Sequence, residues 1–430
     1  MLSSLLQFIL RVLSKKIIKK YKPDVVGITG SVGKTSAKEA IALVLATRFN
    51  IRKTPKNYNN EIGLPLAIIG VEKSPGKSII GWLQVFFKAL MLIFIRSKKY
   101  PEILVLEMGA DKPGDIKYLV DIAPCKVGVW TSVAHAHTEA FKTLKKIILE
   151  KRTIVSHLSN DSFAVLNFDN DYIMENIDKT KAEVLTFGFK EGADFQASEI
   201  KLLVDEASGW PRGLNFKISH KGHFVPVFLS DIVAEHLIPS ALTGLAVGSI
   251  FGINLVEGAL SLKDYQVLPG HMHLIKGIKN TLLIDDTYNS SPEAAKSALA
   301  TLVKIKISEA GKRYAVLGDM LELGTETENA HRELGLKIAE LNIDFLITVG
   351  ESAKFIASSA EEAGFDTNKI AKFSDSISAG RFLQDKMKPD DAILIKGSQG
   401  VRMEKIVKEV MAEPEKAKEL LVRQGNEWEK

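Results

Sequence analysis

Cysteine is almost absent: Cys125 stands alone among 430 residues, which excludes an intramolecular disulfide and any multi-cysteine metal site and fits a reducing, cytoplasmic compartment. Aromatics are few, at 7%, and no Arg/Lys stripe is interleaved with them, so the net charge of +5 describes no nucleic-acid groove and no nucleic-acid partner is expected. There is no internal repeat and no low-complexity tract. No basic side chain precedes the first apolar run and no small-residue cleavage site follows it, which argues against a signal peptide. What remains is a globular composition, 46% hydrophobic and 25% charged, with 31 glycines dispersed along a chain long enough for two or three domains.

Two apolar segments stand out. In the first, Leu2, Leu5, Leu6, Ile9, Val12 and Leu13 fall at helical spacing and Lys15, Lys16, Lys19 and Lys20 follow. The second, Ile79 to Ile95, is interrupted by Gln84 and Lys88 and flanked by Arg96, Lys98 and Lys99. It lies at the lower limit of the ~17–25 residues that span a bilayer. Two readings stay open. Residues 1–20 and 79–95 are interfacial helices that make a peripheral membrane contact at an anionic inner face, or they are a helix pair buried against the enzyme or a partner.

From Val25 onward, short Val/Ile/Leu-rich runs alternate with helical stretches, which predicts an α/β fold with a mainly parallel sheet. Strands are expected at 25–29, 103–107, 127–131 and 163–167, and helices from near Lys34, Asp115 and Thr143. Between Phe187 and Leu229 shorter alternating runs suggest antiparallel strands, followed by a helix over 234–251. A second α/β series follows, with strands at 282–286, 314–318, 345–349 and 392–396. The expected division is a basic amphipathic helix over 1–22, a central nucleotide-binding domain over 23–264 with an apolar insertion at about 75–100, and a C-terminal domain over 265–430.

The strongest single signal joins the first strand to the first helix of that series: Gly27-Ile-Thr-Gly-Ser-Val-Gly-Lys-Thr-Ser36. Glycines let backbone N–H groups turn inward around phosphate oxygens. The helix N-terminus adds a favourable dipole, Lys34 a positive charge, and Thr35 a hydroxyl for Mg²⁺. Ile28 stands five residues before Gly33, where the common P-loop has glycine, so this is the shorter TGxxGKT form. Glu107 ends a predicted strand and is a candidate ligand for the same metal.

TGSVGKTS resembles the ATP loop of Mur ligases and the related folate-polyglutamate synthetases. Further segments follow in that family's order: Asn57-Tyr-Asn-Asn-Glu-Ile-Gly63, Leu106-Glu-Met-Gly-Ala-Asp111, Asp285-Asp-Thr-Tyr-Asn-Ser-Ser-Pro292, Leu317-Gly-Asp-Met-Leu-Glu-Leu-Gly324 with His331, and Lys396-Gly-Ser398. The resemblance covers roughly residues 24 to 410. It implies a P-loop-containing central domain, a Rossmann-like C-terminal α/β domain, and an ATP-dependent ligase that joins a carboxylate to an amine through an acyl-phosphate. The GDMLELG and DDTYNSSP segments imply the branch that adds D-alanyl-D-alanine to a UDP-N-acetylmuramoyl-tripeptide. A lipid-linked muropeptide, a different amide ligation, or a nucleotide-binding scaffold without catalysis are the alternatives.

Residue by residue, the resemblance implies that Thr29, Gly30, Ser31, Val32, Gly33, Lys34, Thr35 and Ser36 bind ATP together with His271, Asp286 and Asn289. Two Mg²⁺ ions would be held by Thr35, Glu107, His137 and Lys151, the last as a carbamate, because CO₂ addition turns a lysine into an oxygen ligand. Lys34, Glu107, His137 and Lys151 form the implied catalytic set. Asp319, Glu322, Lys396 and Ser398 would hold the dipeptide, and closure of the C-terminal domain would complete the site. A monomer is expected. Leu237 and Ser240 replace asparagines of the family pattern, His271 and Gln399 replace arginines, and Arg402 lies close to the latter. No UDP-sugar-binding domain of the family type precedes the loop, so the acceptor is expected to be held in another way.

Overall fold

A computed structural model describes the chain apart from residues 1, 56–57, 135–140, 142, 206–209, 426–427 and 429–430. The polypeptide divides into two compact units. The first comprises Met1–Ile200, Phe216–Phe228 and Leu237–Tyr265, and the second Lys201–Asn215, Leu229–His236 and Gln266–Lys430.

Nine strands form the first sheet: β1 (Asp24–Thr29), β2 (Ile51–Lys53), β3 (Ile103–Glu107), β4 (Val127–Trp130), β5 (Phe163–Asn167), β6 (Glu183–Gly188), β7 (Phe195–Val204), β8 (Pro211–His220) and β9 (His223–Ser230). Their order is β2-β3-β1-β4-β5-β6-β7-β8-β9. The pairings from β2 through β7 are parallel. Only two residues, Lys221 and Gly222, join β8 to β9, and both have positive φ (48° and 79°), the requirement of a tight antiparallel hairpin. The expected change to antiparallel texture sets in later than Phe187, because β7 still pairs in parallel with β6.

Strands β1, β3 and β4 are buried along nearly their whole length, which is why they read as unbroken apolar runs. β1 lies between β3 and β4, while the chain leaves β1 towards β2 on one side and returns to β4 on the other. At such a reversal the loops at the carboxyl ends part and leave a crevice. The helix Lys34–Leu45 begins beside it, and the helix Leu144–Ser156 packs against β1 and β4.

The second sheet contains β10 (His273–Lys276), β11 (Leu282–Asp286), β12 (Arg313–Gly318), β13 (Phe345–Val349), β14 (Ile370–Phe373) and β15 (Ala392–Lys396) in the order β10-β11-β15-β12-β13-β14. Only β10 pairs antiparallel. β15, last in the chain, inserts between β11 and β12 and brings the carboxyl ends of all three together. Two α/β units with mainly parallel sheets match the expected fold class. The expected helix over 234–251 begins as a 3-10 turn, Glu235–Leu237, and becomes α-helical over Ile238–Ile250, with Pro239 in its first turn.

The helix Leu2–Tyr21 packs inward, with Leu10, Ser14 and Ile17 fully buried. Among the described residues no helix is long and apolar enough to cross a membrane.

Candidate active site

The loop between β1 and the helix Lys34–Leu45 carries Gly30 at φ 155° and Gly33 at φ 83°. A β-carbon on Gly30 would collide with Thr131 Oγ1, so the loop passes the end of β4 at a distance only glycine permits. That end braces the loop. Ser31 N–H donates to the Ser132 carbonyl (2.9 Å), Val32 N–H to Ser132 Oγ (2.8 Å), and Thr131 Oγ1 to the Val32 carbonyl (2.6 Å). On the other side Thr29 Oγ1 donates to the Met108 carbonyl (2.8 Å), beyond the end of β3.

Glu107, the last residue of β3, is buried and surrounded. Thr35 Oγ1 donates to its Oε2 (3.0 Å), Asn59 Nδ2 to its Oε1 (3.2 Å), and Lys38 Nζ lies 3.5 Å from Oε2. Its backbone N–H donates to Thr54 Oγ1 (3.0 Å). Lys38 is fully buried, and Glu39, 3.6 Å away, shares its charge and pairs with Lys53 as well. The sequence reading gave Lys38, Asn59 and Thr54 no role. Lys38 did leave a trace, because it follows Lys34 by four residues on one helix, a like-charge spacing that is unfavourable unless an anion sits between or beside the pair.

Two lysines converge on the Gly30 carbonyl: Lys34 Nζ at 2.8 Å and Lys151 Nζ at 3.0 Å. Desolvation lowers the Lys34 pKa, opposed by the charges of Glu107 and Asp111. Burial pushes Lys151 down to about 7, and the neighbouring Lys34 charge adds to the effect. The reason lies in the helix Leu144–Ser156. Glu150, the adjacent carboxylate, turns away to accept the N–H groups of Gly114 and Ile116 (both 2.7 Å), which leaves Lys151 facing the loop. His137 and Asn57, singled out from sequence, lie outside the described residues. Ser36 is held through its carbonyl, which accepts from Tyr265 Oη (3.1 Å).

The second unit gathers another set at the ends of β11, β15 and β12. Asp286 and Lys396 face each other in register and form a buried pair at 2.6 Å. Lys396 Nζ also donates to the Asn289 carbonyl (3.0 Å), and Met272 N–H donates to Asp286 Oδ1 (3.2 Å). Beside them Asp285 is fully buried and pushed up to about 7 by desolvation, against hydrogen bonds from Thr287 and Gly270. The His271 ring stacks on Tyr288 at 4.4 Å, and its Nδ1 lies 3.0 Å from the Pro269 carbonyl.

Ser398 Oγ accepts from Leu321 N–H (2.9 Å), and Ser398 N–H donates to the Asp319 carbonyl (2.9 Å). The Asp319 carboxylate accepts from Ala353 N–H (2.7 Å), and a β-carbon at Gly350 would strike it. His331 is buried and accepts Met320 N–H (3.0 Å), so it holds the segment in which Glu322 stands exposed at φ 64°. Arg402, near Gln399 in sequence, is committed to Glu404 (2.5 Å) and to the Trp428 carbonyl (3.2 Å).

Residues 28–80 and 88–239 match the family model of the Mur ligase middle domain, and residues 270–399 match that of the Mur ligase glutamate ligase domain. The UDP-N-acetylmuramoyl-tripeptide–D-alanyl-D-alanine ligase of Bacillus subtilis is 28% identical over 405 residues, covering 94% of this chain and 79% of its own. The Escherichia coli protein of the same name is 27% identical over 390 residues, covering 89% and 76%. A crystal structure of MurF ligase from Thermotoga maritima in complex with ADP is similar with a TM-score of 0.77 and 29% identity, over 95% of this chain and 84% of that one.

Proposed function

The chain belongs to the Mur ligase family, and from that premise we propose that it is the ATP-dependent ligase that adds D-alanyl-D-alanine to a UDP-N-acetylmuramoyl-tripeptide in peptidoglycan synthesis. The observation that carries the reading is the convergence of Lys34, Thr35, Glu107 and Lys151 on one glycine loop at the carboxyl ends of β1, β3 and β4.

The loop backbone from Thr29 to Ser36 and the Lys34 ammonium are assigned to the triphosphate, and His271, Asp286 and Asn289 are the further residues assigned to ATP. The tripeptide's terminal carboxylate attacks the γ-phosphoryl group, and ADP leaves. The dipeptide amine then displaces phosphate from the acyl-phosphate and forms the amide. No nucleophilic side chain is needed, so positioning and charge neutralisation dominate. Asp319, Glu322, Lys396 and Ser398 are the residues assigned to the dipeptide.

A buried carboxylate next to a hydroxyl, Glu107 with Thr35, suits Mg²⁺, which prefers a few protein oxygens and fills its other positions with water and phosphate. Bound there, the ion would neutralise charge between triphosphate and carboxylate. Lys151 is the candidate for a second ion together with His137. With its pKa near 7, a large neutral fraction exists at physiological pH. That amine adds to CO₂, loses a proton and becomes a carbamate anion.

The proposed domains are 1–22, 23–264 and 265–430, and the proposed location is cytoplasmic. The basic apolar helices favour a peripheral contact with the inner face of a membrane and, as a second reading for the acceptor, a lipid-linked muropeptide.

The test incubates the purified protein with ATP, Mg²⁺, the tripeptide precursor and D-alanyl-D-alanine, and measures phosphate and product mass. Product heavier by one dipeptide, formed with stoichiometric phosphate, supports the assignment. Phosphate release that needs neither acceptor nor dipeptide refutes it.

A further inference from the structure

The helix Ile79–Phe94 is apolar on both sides. One side is anchored: Val85 and Ala89 are buried, and Trp82, Phe86, Leu92 and Ile93 pack against the core of the first unit. Its ends are fixed as well. Ser78 Oγ accepts Gly81 N–H (3.1 Å) at the start, while Lys20 Nζ and Tyr21 Oη donate to the carbonyls of Leu92, Ile93 and Ile95 at the finish. The other side presents Ile80, Leu83, Phe87, Leu90, Met91 and Phe94, all exposed, with Phe87 at 65% and Phe94 at 79%. This is a rigid, contiguous apolar stripe, and among the described residues nothing covers it. The match to the family's middle domain breaks at residues 81–87, inside this helix.

Charge identifies what covers it. Residues 1–23 and 73–101 contain twelve Lys or Arg and no Asp or Glu, whereas the rest of the chain holds 45 basic and 52 acidic residues. The whole excess of positive charge thus lies in the two segments that carry and support this helix: Lys73 and Lys77 before it, Arg96, Lys98 and Lys99 after it, and Lys15, Lys16 and Lys19 on the helix Leu2–Tyr21, which packs against it, all exposed. A second copy of the chain would bring two such basic rims together. An anionic lipid surface satisfies both features, because the apolar stripe enters the acyl boundary while the rim meets the headgroups. Sixteen residues rise about 24 Å, too short to cross the hydrocarbon core, so the helix lies in the plane.

We propose that the helix Ile79–Phe94 is the membrane-inserting element of this enzyme and docks it on anionic lipid, while the helix Leu2–Tyr21 serves as its buried support. The inference rests on the peripheral-contact reading above and sharpens it. The first helix directs Leu10 and Ile17 into the core and leaves only Leu5 and Phe8 as large exposed apolar groups among its described side chains.

Full-length protein is sedimented with phosphatidylcholine vesicles, with and without phosphatidylglycerol, at low and raised salt. The expected result is binding to the anionic vesicles that exceeds binding to the neutral ones by at least about tenfold and weakens with salt. The pair Leu83→Glu/Phe87→Glu abolishes it with melting temperature and ligation rate unchanged, and Leu5→Glu/Phe8→Glu retains most of it. Absence of wild-type binding overturns both the inference and the peripheral-contact reading. Binding that survives Leu83→Glu/Phe87→Glu but is lost in Leu5→Glu/Phe8→Glu overturns the inference alone. A wild-type dimer in sedimentation velocity that those helix substitutions dissolve assigns the stripe to a second copy and likewise overturns it. Ligation activity reports on the enzymatic assignment independently of all three outcomes.

Discussion

Each unit ends a buried strand in a carboxylate and sets a buried lysine beside it, but the two pairs differ in closeness. Asp286 and Lys396 touch at 2.6 Å across adjacent strand ends, so each charge is compensated by the other. Glu107 and Lys38 stand 3.5 Å apart, and Glu107 divides its oxygens between Thr35 and Asn59 as well. A third buried lysine, Lys151, has a carbonyl and another lysine for neighbours, and burial drives its pKa to about 7. The same buried side chain, on two helices and at one strand end, is thus a locked ion, a shared ion or an amine with a large neutral fraction near pH 7. What decides is which groups the neighbouring loop delivers within hydrogen-bond reach.

The sharpest way to break this contrast is to unpair the locked ion. Lys396→Met leaves Asp286 buried without a counter-charge and is expected to destabilise the second unit by about 3–5 kcal/mol, read by chemical denaturation. A loss below about 1 kcal/mol would show that Asp286 is rehydrated or protonated and that the pair is no lock. Lys34→Ala comes next, with kcat/KM expected to fall by about 10²–10³-fold and the melting temperature nearly unchanged. An equal loss of stability would make that lysine a structural group. Gly30→Ala forces a β-carbon into Thr131, and it should weaken nucleotide binding while Thr131→Ser in the same background leaves the collision in place.

The smallest effect tests the neutral amine. Because the folded-state pKa of Lys151 lies below its ordinary value of 10.5, the folded protein binds fewer protons than the unfolded chain between about 7 and 10.5. The stability penalty for burying its charge is therefore full below about 7 and relieved as pH rises through that window. Carbamylation needs the neutral form, so Lys151-dependent activity and the bicarbonate-derived carbonyl signal in ¹³C NMR should decline together as pH drops below about 7. Lys151→Arg, which stays protonated, should remove the signal and that pH dependence. If the signal persists in Lys151→Arg, the carbamate lies elsewhere.

Much of this was legible in the residues. The loop at 27–36, Glu107 at a strand end and the paired segments at 285–292 and 317–324 announce themselves because their chemistry is local, a turn that needs glycine or a carboxylate that ends an apolar run. The strands at 51–53, 273–276 and 370–373 did not, since these short edge pieces are half-exposed and carry no strong alternation, and neither did the interior strand at 183–188, whose first half is exposed or half-buried and whose second half is buried without alternation. Lys38, Asn59 and Thr54 were not legible as parts of the site either. They approach Glu107 only after crossover connections bring β1, β2 and β3 side by side, and no spacing in the chain encodes that meeting.

The sequence by itself determined the order of elements, the glycine loop and the excess of lysine around two apolar segments, because backbone sterics, periodicity and charge are properties of neighbouring residues. Only the tertiary structure decided which lysine is paired and which has its pKa pushed down to about 7 by burial, and which apolar helix is buried and which presents a bare face. Those outcomes depend on desolvation by groups tens to hundreds of residues away, and burial is a property of the assembled fold.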